Sequence, residues 1–191
     1  MRTILVDIHT HHPSEDRLSP QMVGIHPWDA DKSLTLPDLR PCDIVGETGL
    51  DLCCGVSIER QMELFRWHLE QAEKLEKPVV LHAVRSFEQV IKTLGDYTLK
   101  GVVFHGFIGS AHQAGEALRR GYYLSFGERS LRSSRTREAI AITPLERLFA
   151  ETDDNPELSI ETIYDAIAEI KAISCEELAV NIEKNYKTLI R

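Results

Sequence analysis

The strongest constraint on this chain is a repeated alternation of short apolar runs with amphipathic helical stretches. The runs are Thr3–Ile8, Gln21–Ile25, Asp43–Gly46, Pro78–Leu81, Gly101–Phe104, Tyr122–Phe126 and Leu148–Ala150. Continuous apolar runs of about four to eight residues suit parallel strands covered on both faces. Between Ser57 and Lys77, Met62, Phe65, Leu69, Ala72 and Leu75 recur at 3–4 spacing and predict one buried helical stripe. Ser57 can cap its start and Pro78 stops it. Ser86 with Gln89, and Ser110 with Gln113, read as capping boxes. Gly95 and Gly121 end those two helices, and Ser174 with Glu177 opens a last one. The pattern of strand, loop and helix predicts a parallel α/β fold. The absence of G-x-G-x-x-G and of a P-loop disfavours the nucleotide-binding versions of that fold.

Length and composition narrow the reading. The 191 residues predict one domain spanning 1–191, and 42% hydrophobic with 27% charged residues is ordinary for a globular chain. No apolar stretch reaches the roughly 18 residues of a membrane span, and residues 1–9 do not read as a signal peptide, so a cytoplasmic location is expected. Cys42, Cys53, Cys54 and Cys175 form no C-x-x-C pair and read as reduced thiols. The net charge of −8 disfavours extended binding to duplex nucleic acid, while a short or single-stranded end can still be held locally.

The polar residues at the run ends carry the functional signal. The first run leads into Asp7-Ile8-His9-Thr10-His11; the others lead to His26, Glu47, His82, His105 and Asp153. In a parallel barrel all C-terminal strand ends lie on one face, which carries the active site. His9 and His11, two apart on a strand, point the same way. Four of these histidines with one Glu and one Asp already exceed the ligands of one zinc site and suit two divalent ions, Mg²⁺, Mn²⁺ or Zn²⁺. Asp7 is a candidate for orienting a histidine. His68 and His112 read as surface residues, and His12 as either a pocket or a solvated one.

These residues resemble the TatD family of metal-dependent hydrolases, a branch of the amidohydrolase-type TIM barrels. The matching pieces include D-I-H-T-H (7–11), V-G-I-H-P-W (23–28), V-G-E-T-G-L-D (45–51), P-V-V-L-H-A-V-R (78–85), F-H-G-F-I-G-S (104–110), F-A-E-T-D (149–153) and N-I-E-K-N-Y (181–186). The resemblance implies metal ligands at His9, His11, Glu47, His82, His105 and Asp153. It implies that Glu47 bridges two ions and that Asp153 orients the nucleophilic water and accepts its proton. His26 is expected to face substrate, with Trp28 stacking a base and Arg85 offsetting phosphoryl charge. Arg129, Arg132, Arg135 and Arg137 are either further cations for substrate or a solvated loop.

The implied activity is two-metal hydrolysis of DNA from 3′ ends. A small-molecule phosphoesterase or amidase, or a catalytically weak scaffold, are the alternatives. A monomer is expected, acting on DNA ends or a small phosphoester and not on a membrane. The chain departs from the family pattern between His11 and Val23, where only eleven residues stand in place of a helix, a strand and another helix. The expected fold is therefore a TIM-type (β/α) barrel shortened to about seven strands, or open there, unless Arg17–Gln21 add a stub of pairing.

Overall fold

The computed structural model of the chain describes residues 4–32 and 35–191. Its strands are β1 (Leu5–Val6), β2 (Arg17–Leu18), β3 (Met22–Val23), β4 (Ile44–Asp51), β5 (Val79–Val84), β6 (Val102–Phe104), β7 (Tyr123–Phe126) and β8 (Leu148–Ala150). Its helices are α1 (Ile58–Lys74), α2 (Phe87–Leu94), α3 (Ala111–Arg119), α4 (Glu128–Leu131), α5 (Ser134–Ile142), α6 (Ile160–Lys171) and α7 (Cys175–Ile190). Every apolar run read from the sequence supplies a strand; Thr3, the expected start of the first, lies outside the described residues. The chain forms two compact units, one joining the residues through Ser19 to His105–Leu189, the other made of Pro20–Phe104.

In the unit of Pro20–Phe104, β3, β4, β5 and β6 pair in that order, all parallel. Ile44, Val45, Leu50, Val79, Val80, Leu81 and Val103 are fully buried, on both faces of these strands. Each such side chain contributes about 1.5–3 kcal/mol by leaving water. Ser57 Oγ accepts the Arg60 N–H at 3.3 Å and caps α1, as expected. The helix buries Phe65, Leu69 and Ala72, and with them the polar Gln61 and His68. His68 is therefore no surface residue. It lies on the apolar arc, and its Nε2 accepts the Ile25 N–H at 3.0 Å beyond β3. Gln61 does similar work for β4, accepting the Asp51 N–H at 2.7 Å and donating to Asp51 O at 3.0 Å. Ser86 precedes α2 without capping it, because its hydroxyl donates to Leu50 O at 2.7 Å.

In the other unit β1 pairs in parallel with β2, and β7 with β8. The Ile8 N–H donates to Ala150 O at 3.1 Å and the Asp153 N–H to His9 O at 3.0 Å, which sets the ends of β1 and β8 side by side. Tyr164 of α6 holds β1 through its hydroxyl, which accepts from Val6 N and donates to Val6 O. Asn185, from the 181–186 motif, donates to Leu145 O and Leu148 O at the start of β8. The capping box at Ser110 and Gln113 is present, and Ser174 caps α7. The arginines at 129–137 lie on α4 and α5 and between them, instead of in one loop.

The short segment after His11 contains a two-residue strand. Arg17–Leu18 forms the stub of pairing, so the described residues hold eight strand segments where about seven were expected.

Candidate metal centres

The first group of donors sits where β1 meets β8. His9, His105 and Asp153 each offer one ligand atom, all within 4.8 Å of one another. Asp153 Oδ1 lies 3.4 Å from His9 Nε2 and 3.8 Å from His11 Nε2. The His9 ring packs against His105 with centroids 4.3 Å apart and against His11 at 5.1 Å. His9 is buried, whereas His11 is half exposed. Asp153 holds a left-handed backbone, φ 56°, which Asp tolerates better than most residues. Two backbone bonds fix it there, its N–H to His9 O and its carbonyl from His11 N–H at 2.9 Å.

Asp7, the first residue of D-x-H-x-H, supports this corner without orienting a histidine through any described hydrogen bond. It accepts the Thr152 N–H at 3.0 Å and the Thr152 hydroxyl at 2.7 Å, and Arg17 Nη1 lies 3.2 Å from its Oδ2. Burial pushes its carboxyl up to about 6, against the pull of Thr152 and Arg17. Glu151, two residues before Asp153, is also fully buried, and its Oε1 is 3.2 Å from His105 Nδ1. Sequence reasoning passed over Glu151. The available signal was a charged residue directly after the apolar run Leu148–Ala150, two residues before Asp153.

The second group, in the unit of Pro20–Phe104, is His26, Glu47 and His82. His26 Nε2 lies 3.2 Å from His82 Nδ1 and 3.6 Å from Glu47 Oε1, and His82 Nδ1 lies 3.4 Å from Glu47 Oε2. His26 thus joins the donor group itself, beyond the substrate-facing place expected for it. The β4–β5 register shifts between Val45 and Thr48, and this irregularity re-aims Glu47. Gly46 makes it possible: its φ is 149°, and a Cβ there would stand 2.6 Å from Val80 O.

Asp51 backs this group. Its Oδ2 lies 3.2 Å from His82 Nε2 and accepts the Trp28 indole N–H at 2.6 Å, while its Oδ1 accepts the Cys53 N–H at 2.7 Å. Burial raises its carboxyl, but these donors outweigh that and leave it below the usual carboxylate range. Trp28 is 57% exposed even with its N–H committed. Arg85 follows β5 and is exposed. All four cysteines are free thiols.

The donor chemistry fits divalent cations. Metal–ligand bonds of about 2.0–2.2 Å place neighbouring donors roughly 3–4 Å apart, the range of the donor contacts given above for both groups. Mixed imidazole and carboxylate ligands suit zinc and manganese-type ions better than calcium.

Comparison with known proteins now bears on what the chain is. Residues 7–191 match the sequence model of the family described as TatD related DNase. The chain belongs to the TatD family. It is 29% identical over 189 residues to "Uncharacterized metal-dependent hydrolase YcfH" of Escherichia coli K12, covering 87% of this chain and 71% of that one. It is 32% identical over 145 residues to "Putative deoxyribonuclease TATDN1 homolog" of Vairimorpha ceranae, covering 74% and 54%. The crystal structure of the TatD homologue YjjV of Escherichia coli K12 superposes with TM-score 0.67 and 30% identity over 76% of this chain and 62% of that one. A TatD family hydrolase from Entamoeba histolytica gives 0.79 at 19% identity, over 92% and 75%, a likeness of fold. The fold is accordingly the α/β class of TIM type, and the chain is a TatD-family metal-dependent hydrolase. No helix among the described residues is long and apolar enough to cross a membrane.

Proposed function

We propose that this TatD-family chain is a divalent-metal-dependent phosphodiesterase that removes nucleotides from 3′ ends of DNA. The observation that carries the reading is a pair of imidazole–carboxylate donor groups, His9, His105 and Asp153 in one unit and His26, Glu47 and His82 in the other. The name of the Vairimorpha relative and the family's description support DNA as substrate. His11 completes the first ligand set on this reading. Divalent ions, when bound, supply Lewis acidity and lower the pKa of coordinated water to about 7.

The chain's own residues do the rest. Asp153 Oδ1 orients the attacking water and takes its proton, held in place by the backbone bonds to His9 and His11. Glu47 is fixed by the β4 irregularity and contributes its carboxylate to the second donor group. Arg85 is placed beyond His82 to offset charge developing on phosphoryl oxygens. Trp28 presents an exposed ring whose N–H is already satisfied, which suits stacking on an unpaired base, worth about 1–3 kcal/mol.

A second reading, hydrolysis of a small phosphoester at the same donors, is favoured by the net charge of −8. A substrate panel separates the two. Metal-stripped protein is reloaded with Mg²⁺, Mn²⁺ or Zn²⁺ and offered 3′-labelled single-stranded DNA, duplex DNA, small phosphomonoesters and amides. The proposal expects mononucleotides from the single strand above every other product. Turnover of the small esters alone would transfer the assignment to the second reading.

A further inference from the structure

We propose that Glu151 is a positioning residue for His105: its Oε1 accepts the imidazole Nδ1–H and so leaves the Nε2 lone pair for the cation. This rests on the reading of His105 as a ligand. Oε1 stands 3.2 Å from His105 Nδ1, and a carboxylate oxygen that accepts this contact puts the ring hydrogen on Nδ1, the tautomer proposed here. A histidine ligand held in one tautomer by a carboxylate binds metal more tightly than one free to exchange.

The surroundings show that the carboxylate is accommodated at a cost. Glu151 is 0% exposed. Its backbone N–H is tied to Phe126 O at 3.2 Å. A Cβ on Gly127 would stand 3.2 Å from Glu151 Cγ, and one on Gly106 would stand 3.3 Å from Oε1, so a larger residue at either place would crowd the Glu151 side chain. Oε2 is buried with no hydrogen-bond partner among the described residues. A buried acceptor with no partner loses the hydrogen bonds that water would give it. A residue serving packing alone would avoid that cost by being apolar. The carboxylate is explained by what it does for His105.

The experiment uses Glu151→Leu and Glu151→Gln in the full chain. Long-range ¹H–¹⁵N correlation of the metal-free protein at pH 7.5 reads the His105 tautomer directly. Wild type is expected to be Nδ1-protonated, Glu151→Gln to stay so through the amide oxygen, and Glu151→Leu to shift toward Nε2-protonated. Equilibrium dialysis with Mn²⁺ should show binding about 10–100-fold weaker in Glu151→Leu and partly restored in Glu151→Gln. Urea midpoints of the metal-free variants should not fall below wild type.

A His105 ring that keeps Nδ1–H in Glu151→Leu overturns the proposal. So does a lowered urea midpoint with unchanged tautomer, which marks a purely structural residue. If Glu151→Leu does not fold, the tautomer in wild type and Glu151→Gln decides, and Nε2–H in wild type overturns the proposal. Failure of wild type to bind Mn²⁺ while the tautomer shift is seen counts against the ligand reading and leaves the Glu151–His105 contact standing.

Discussion

Arg17 Nη1 lies 3.2 Å from Oδ2 of Asp7, a carboxylate that is fully buried beneath the Thr152 N–H and hydroxyl. Arg17 belongs to the two-residue strand in the shortened segment, and its Nη2 also donates to His12 O at 2.9 Å. One cation from the stub thus balances the charge at the base of the D-x-H-x-H strand. Removing one member of a buried pair costs more than removing both, because it leaves a desolvated charge.

Arg17→Met is therefore expected to destabilise the protein by about 3–5 kcal/mol. Asp7→Asn combined with Arg17→Met should recover most of the loss. Urea denaturation of the two single variants and the double variant checks this. Equal losses in the single Arg17 variant and the double variant would contradict the pairing.

His68 makes stability depend on pH. Burial lowers its pKa from 6.5 to about 4 in the folded protein. The unfolded chain takes up the proton first as pH falls, so this contribution is complete above about 6.5 and is lost as pH drops toward 4. A shift of that size corresponds to about 3 kcal/mol across the window. His68→Gln keeps an acceptor for the Ile25 N–H and removes the titration. Urea midpoints at pH 7.5, 6.0, 5.0 and 4.5 should fall more steeply for wild type than for His68→Gln, and parallel slopes would contradict the assignment.

Much of the candidate site was legible because residue type and position agree. A histidine or carboxylate at the end of an apolar run is informative, and His9, His11, Glu47, His82, His105 and Asp153 all stand at such ends. The fold class was legible for the same reason, since the strands are read from their apolar runs. What was missed depends on tertiary partners. His68 shares the buried arc of Phe65, Leu69 and Ala72, and the Ile25 N–H at its Nε2 with Leu64 O and Thr48 Oγ1 at its Nδ1 explain a polar ring there. Ser86 has the right spacing for a cap, but Leu50 O competes for its hydroxyl. Arg17–Leu18 falls within the stub of pairing expected at Arg17–Gln21; it is too short for periodicity to register, and the pairing with β1 makes it a strand.

Trp28 separates positioning from stacking. Trp28→Phe loses the indole N–H bond to Asp51 and keeps an aromatic face. It should weaken Mn²⁺ binding while leaving affinity for single-stranded DNA within a few-fold. Trp28→Ala should lose about 1–3 kcal/mol of DNA affinity as well. Fluorescence anisotropy with a labelled oligonucleotide and dialysis with Mn²⁺ measure the two effects separately. Equal DNA affinity in the Phe and Ala variants would contradict the stacking role.

The most direct measurement is mononucleotide release from 3′-labelled single-stranded DNA by protein that has been stripped of metal and reloaded with Mn²⁺. Wild type is compared with Asp153→Asn, from the first donor group, and Glu47→Gln, from the second. Loss of a group that moves or stabilises charge at the reaction commonly costs about 10²–10⁴-fold. Each variant is therefore expected to fall by at least about 100-fold while keeping its folded circular dichroism. Hydrolysis that survives both substitutions, or that proceeds equally in the metal-stripped protein, would contradict the account.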